Sequence, residues 1–256
     1  MTSRTLRLSD GSTVRVLEAG AGEPLLLIHG VGLRAEAWGP QMRLEAHVFA
    51  VDMPGHGDST PLPAGARLPD YVAWAAQVIE DLGVGPMNVA GHSMGSLIAG
   101  GLAIERPDLV KRVALLNGVH RRTPEARAAV LGRAAEIAAG GGSIEAPLAR
   151  WFTPEEAETR AEVAGWLNTV SQTGYAMAYR AFAEGDMVYA DHIEASAASS
   201  DTISCHLRAD DVDGFIDDED QVDPDFPWLG KGRLEQKKEK GSYARSLRYA
   251  AHYSGA

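Results

Sequence analysis

Cysteine is almost missing from this chain: Cys205 is the only one in 256 residues. That excludes an internal disulfide and any cysteine-based metal cluster. Long apolar runs are missing too. No stretch approaches the roughly 18 residues of a membrane span. The first ten residues, MTSRTLRLSD, hold no apolar core that could serve as a secretion signal. Positive charge is scarce, with 24 Lys and Arg against 35 Asp and Glu and a net charge of -11. Such an acid surplus argues against nucleic acid and against an anionic membrane as partners. The chain has no glycine-rich phosphate loop and no His-x-x-x-His pair, so neither a nucleotide cofactor nor a metal is implied. A cytoplasmic enzyme or binding protein is the expectation.

What is present is an ordinary apolar fraction of 45% with 23% charged residues, the composition of a folded globular chain. Short apolar runs at 24–28, 48–51, 87–90 and 113–116 read as strands buried on both faces. Two further strands at 5–8 and 13–17 flank the turn pair Asp10-Gly11. Helical patterns at 33–44, 68–82 and 96–105 fall between the runs. Buried strands alternating with helices predict an α/β fold, a mostly parallel sheet with helices on both faces. Ligands of such sheets bind beyond the carboxyl ends of the strands.

Residues 120–190 change character. Thr123-Pro124-Glu125 opens an Ala-rich helix that Gly140-Gly141-Gly142 breaks, and helices follow at about 144–151, 154–171 and 174–184. Trp151, Phe152, Trp166, Tyr175, Tyr179 and Phe182 cluster there, as expected of a helical layer over the sheet edge. Residues 191–256 change again. One lysine, Lys111, precedes position 191 and four follow it, and acidic blocks fill 210–220. No run of four apolar residues occurs there, so no buried strand is predicted. The chain therefore divides into a core at 1–119, a helical cap at 120–190 and an atypical charged tail at 191–256.

The chemistry sits at three strand ends. Gly91-His92-Ser93-Met94-Gly95 joins an apolar run to a helix, the pattern of a nucleophile elbow that exposes the Ser93 hydroxyl. The Met94 N–H, first in the helix, is one candidate donor to an oxyanion. His29-Gly30-Val31-Gly32 follows another strand and offers the Val31 N–H as the second. Asp52-Met53-Pro54-Gly55-His56-Gly57-Asp58-Ser59 is a rigid third loop, in which Asp52 and His56 read as structural.

These three motifs, in this order and spacing, resemble the α/β-hydrolase family over about residues 5–190. The cap segment Ala149-Arg150-Trp151-Phe152-Thr153-Pro154 with Gly174-Tyr175 is similar to that of 3-oxoadipate enol-lactonase-like members. The resemblance implies a Ser93 nucleophile, an oxyanion hole from Val31 and Met94, no cofactor, and hydrolysis of a small carboxylic ester or lactone. His29, Gly30, His92, Trp151 and Phe152 are the expected pocket residues. Branches of the family that open epoxides or displace halide resemble this chain but carry a carboxylate at position 93.

A serine needs a base. In this fold the chain order is Ser, acid, His. Beyond the cap the candidates are Asp211 as acid and His252 as base, neither preceded by a convincing strand. Three explanations stay open for the tail: a stretch translated out of frame, a divergent route to a triad, or a member that lost catalysis and only binds a small ligand.

Overall fold

In the computed structural model, residues 1–119 and 121–193 and the backbone of 203–207 are described. Seven strands form one sheet: β1 (Thr2–Arg7), β2 (Thr13–Ala19), β3 (Pro24–Ile28), β4 (His47–Val51), β5 (Met87–His92), β6 (Val110–Gly118) and β7 (Ile203–Leu207). Their order is β1-β2-β4-β3-β5-β6-β7. β2 pairs antiparallel with β1 and β4; every other neighbouring pair is parallel.

The unbroken apolar run of β3 has a simple cause. Alternate residues of a strand point to opposite faces. Leu26 and Ile28 join one core with Val16, Phe49, Val89 and Val113, while Leu25 and Leu27 join another with Val48, Ala50, Ala90 and Trp38. A strand that feeds two cores has no polar face to show. The helices α1 (Leu68–Leu82) and α2 (Met94–Glu105) cover the first face.

Two expectations need correction. Residues 33–44 do not form an α-helix but two short 3-10 turns, Ala35–Trp38 and Pro40–Arg43. Pro40 has no N–H to return to residue 36, so a continuous helix is interrupted there. The tail, for which no strand was predicted, contributes β7 beside β6. Ile203, Cys205 and Leu207 alternate with Ser204 and His206. A search for four consecutive apolar residues misses that two-residue period.

After β6 come α3 (Pro124–Ala138), α4 (Glu145–Trp151), a 3-10 turn (Pro154–Glu156), α5 (Ala157–Thr169) and α6 (Gln172–Gly185). None of the described helices is long and apolar enough to cross a membrane. α3 starts as its sequence dictates: the Thr123 hydroxyl accepts from the Ala126 N–H at 3.2 Å, with Pro124 in the first turn. Thr123→Ala is expected to cost about 1 kcal/mol. By calorimetry that is a drop of about 2–4 °C in melting temperature, and an unchanged melt would show that this cap contributes nothing.

α5 and α6 come down on the loops that leave β3 and β4. A β-carbon built on Gly32 would lie 2.6 Å from Leu167 Cδ2 and 3.1 Å from Tyr175 Cε2, and one on Gly55 would lie 2.7 Å from Gly174 Cα. The two ends of the helical layer meet at a buried charge cluster. The Arg122 N–H donates to Asp186 Oδ2 at 2.7 Å, and the Arg122 guanidinium lies 3.3 Å from Oδ1. Arg127 reaches the same carboxylate at 2.8 Å, and the Asp186 side chain has no exposed surface.

Candidate active site

β5 is followed directly by Ser93, whose backbone is left-handed, with φ 56 and ψ -116. A side chain in that region costs on the order of 1–3 kcal/mol, so the surroundings must impose it. They do so on both sides. The Ser93 N–H donates to the Leu116 carbonyl of β6 at 3.0 Å. The Ser93 carbonyl accepts from the Ser96 N–H at 3.0 Å and the Ser96 hydroxyl at 2.6 Å. The flanking glycines are steric requirements. A β-carbon on Gly91 would sit 1.9 Å from the Gly95 carbonyl oxygen, and one on Gly95 would sit 2.1 Å from that of Ile28. Ser93 itself stays half-exposed between the buried His92 and Met94.

The loop after β3 passes directly beside it. A β-carbon on Gly30 would lie 3.1 Å from Ser93 Cβ and 3.2 Å from His92 Nδ1. The Gly30 carbonyl accepts from the Leu33 N–H at 3.2 Å, and Gly32 has φ 82. A turn closed this way with positive φ at its third residue is type II, which favours glycine there. Val31 is the second residue of that turn. Met94 is the first residue of α2. An N–H at that position has no acceptor within its own helix and lies at the positive end of the helix dipole.

The loop after β4 is tied to this turn by two imidazoles. His56 Nε2 accepts from the Gly32 N–H at 3.0 Å, and its Nδ1 lies 3.1 Å from the Pro54 carbonyl. His29 Nε2 accepts from the Met53 N–H at 2.9 Å, and its Nδ1 lies 2.8 Å from the Gly30 carbonyl. The expected place of His29 in a substrate pocket is therefore corrected. It is wholly buried, with both ring nitrogens on backbone partners. Burial pushes His29 down to about 4 and His56 down to about 3, so both are neutral at ordinary pH. Asp52 completes the brace as a structural residue: Oδ1 accepts from the Ala35 N–H at 2.7 Å and Oδ2 pairs with Arg15 at 3.1 Å.

Of the other expected pocket residues, Gly30 lies so near Ser93 that a β-carbon there would crowd it. The His92 ring is buried, with Nε2 3.4 Å from Asn117 Nδ2. Phe152 is buried and Trp151 half-buried, both in the apolar cluster that also holds Val31, Met94, Leu167 and Tyr175. Asp211 and His252 lie outside the described residues. Among the described residues, no group of three His, Cys, Asp or Glu side chains could hold a metal. Sequence reasoning missed Leu167, which abuts the 30–33 turn at Gly32, and Arg15, which anchors Asp52 from β2. Nothing local marks either one. Tyr175 lies on the same turn. Burial, then Tyr179, pushes its hydroxyl up to about 12, while Arg133 and Arg150 of the cap pull the other way.

Comparison with known proteins agrees with this architecture. A family profile described as the alpha/beta hydrolase fold matches residues 23–168, more than half of the chain. An (E)-2-((N-methylformamido)methylene)succinate hydrolase from Acinetobacter baylyi is 55% identical over 196 residues, 75% of this chain and 74% of that protein. Among solved structures, the enol-lactonase from Burkholderia xenovorans LB400 aligns with a TM-score of 0.65 at 25% identity, covering 73% of this chain and 76% of that one. An E-2-(acetamidomethylene)succinate hydrolase aligns at 0.57 and 24%, covering 72% and 74%, and shares the fold. The chain belongs to the α/β-hydrolase fold family and is related to named hydrolases.

Proposed function

We propose that this chain is a serine hydrolase that cleaves a small acyl compound by nucleophilic transfer from Ser93, and that its substrate is an N-acylated enamine bearing two carboxylates. The observation that carries the acyl-transfer reading is the imposed left-handed backbone of Ser93 with the Gly30–Gly32 turn against it. Ser93 Oγ bonds to the acyl carbon and gives its proton to the base. The carbonyl electron pair moves to oxygen, where the Val31 and Met94 N–H groups receive it. Collapse expels the leaving nitrogen or oxygen with that proton. Water then adds to the acyl-enzyme, and a second collapse returns a proton to Ser93. Chain order assigns Asp211, four residues after β7 in sequence, as the acid and His252 as the base.

The dicarboxylate reading is supported by the 55% identical relative, whose name specifies such a substrate. It also fits the positive charge of Arg150, and of Arg133 beyond its bonds to Glu136 and the Ser143 carbonyl, near Tyr175, which packs against the 30–33 turn. Guanidinium groups suit carboxylates because they offer paired donors. A panel assay tests it: (E)-2-((N-methylformamido)methylene)succinate against an uncharged ester and a small lactone. The expected kcat/KM is at least about tenfold higher for the dicarboxylate, about what one charged hydrogen bond contributes at the low end of its range. Equal values, or a preference for the ester or lactone, would remove the dicarboxylate reading and leave acyl transfer. No turnover at all, with no covalent labelling of Ser93, would leave a family member that only binds its ligand.

A further inference from the structure

The two buried histidines are a pair in a stricter sense than proximity. Their rings lie 5.3 Å apart, edge to face. Each belongs to one loop and accepts from a backbone N–H of the other: His29 from Met53, and His56 from Gly32. Because both Nε2 atoms accept, both Nδ1 atoms carry the proton and donate, His29 to the Gly30 carbonyl and His56 to the Pro54 carbonyl. The same turn is therefore gripped at two points. His29 holds the carbonyl of its first residue, and His56 holds the N–H of its third.

The peptide between Val31 and Gly32 can face either way in a four-residue turn, and the two orientations are types I and II. An acceptor fixed opposite the Gly32 N–H selects one of them. We propose that His29 and His56 are positioning residues, a reciprocal pair of neutral imidazoles that fixes the 30–33 turn and so aims the Val31 N–H at the oxyanion formed on the Ser93 adduct. This deepens the acyl-transfer reading and rests on it for the oxyanion. The brace itself rests on the hydrogen-bond geometry alone.

Protonation of either ring would turn its accepting nitrogen into a donor facing another donor. Glu36, His92 and Arg34 act on His29; His29 and Asp52 act on His56. Burial is the dominant influence on both and disfavours the cation.

Two measurements decide the matter. The first is long-range nitrogen–proton correlation NMR of the full chain, assigned with single His variants. Both residues should show the neutral Nδ1–H tautomer from pH 8 down to pH 5. An Nε2–H tautomer, or an imidazolium at pH 6 for either one, overturns the brace, and this readout needs no catalysis. The second is the rate of Ser93 labelling by a fluorophosphonate. His56→Leu should lower the maximal labelling rate by about 10²-fold, the order expected when a catalytic group is misplaced by about 1 Å. The half-saturating probe concentration should stay unchanged. His56→Gln, whose carbonyl can accept from Gly32, should recover much of the rate. A His56→Leu protein that melts and labels like wild type overturns the proposal. If that variant does not fold, the Leu-to-Gln comparison is replaced by the wild-type tautomer result, which alone upholds or overturns the brace. Wild-type chain that shows the tautomers but never labels at Ser93 keeps the brace and sinks the acyl-transfer reading instead.

Discussion

Ser93→Ala is expected to remove turnover and stoichiometric fluorophosphonate labelling together. In a well-studied serine protease, loss of the nucleophile costs about 10⁶ in turnover, while binding and oxyanion stabilisation leave about 10³–10⁴ over water. A similar loss is expected here, read from kcat with KM little changed. The backbone adds a second, less usual readout. Alanine keeps a β-carbon at φ 56, so it keeps the strain. Glycine removes it. At an ordinary helix or strand position, glycine is worse than alanine by about 0.5–1 kcal/mol. At position 93 the order should vanish or reverse, with Ser93→Gly melting no lower than Ser93→Ala. If glycine melts lower by the ordinary margin, the elbow is not strained. If Ser93→Ala still labels, another residue is the nucleophile.

Asp186→Ala should produce the largest loss of stability among the charged residues of the cap. The carboxylate is fully buried, and so is nearly all of the Arg122 side chain that faces it. Removing one partner of a buried pair takes away the other's counter-charge, which costs about 3–5 kcal/mol. Arg127 is partly exposed and can turn to solvent; Arg122 has no such outlet. At about 2–4 °C per kcal/mol for a chain of this size, the melting temperature should fall by roughly 6–20 °C. The double variant Arg122→Met, Asp186→Leu should recover part of that, because an apolar pair of similar volume often replaces a buried ion pair without loss. A drop under about 2 °C for Asp186→Ala would mean that water reaches the pair.

How much of this could be read from residues alone depends on the range of the interaction. Strands β3 to β6 were legible because burial on both faces leaves their central runs almost wholly apolar, with Asn88 the exception. The elbow was legible because its glycines answer to contacts only four or five residues away or on the adjoining strand end. The 33–44 segment was misjudged because its apolar spacing is helical while Pro40 forbids the bond that a helix needs. β7 was missed because it alternates rather than runs. A histidine beside the Gly30–Gly32 turn and close in sequence to a strand end invites a pocket role for His29. Only coordinates show both of its nitrogens on backbone groups. The pairs Arg15–Asp52 and Arg122–Asp186 join residues 37 and 64 positions apart, and no local pattern announces either.

The Arg122–Asp186 contact also says something about how such a chain can diversify. The stretch from Arg122 to Asp186, which holds the helices α3 to α6, closes on itself through one hydrogen bond. A segment whose two ends lie together can lengthen, shorten or be replaced while the strands on either side keep their register, since closing a longer loop between fixed ends costs only a little more entropy. Ser93 and the 30–33 turn sit on the strand ends of the sheet, whereas Leu167 and Tyr175 belong to the segment between Arg122 and Asp186. New substrates would then come from grafting a different roof onto an unchanged floor, with the charge cluster as the splice point.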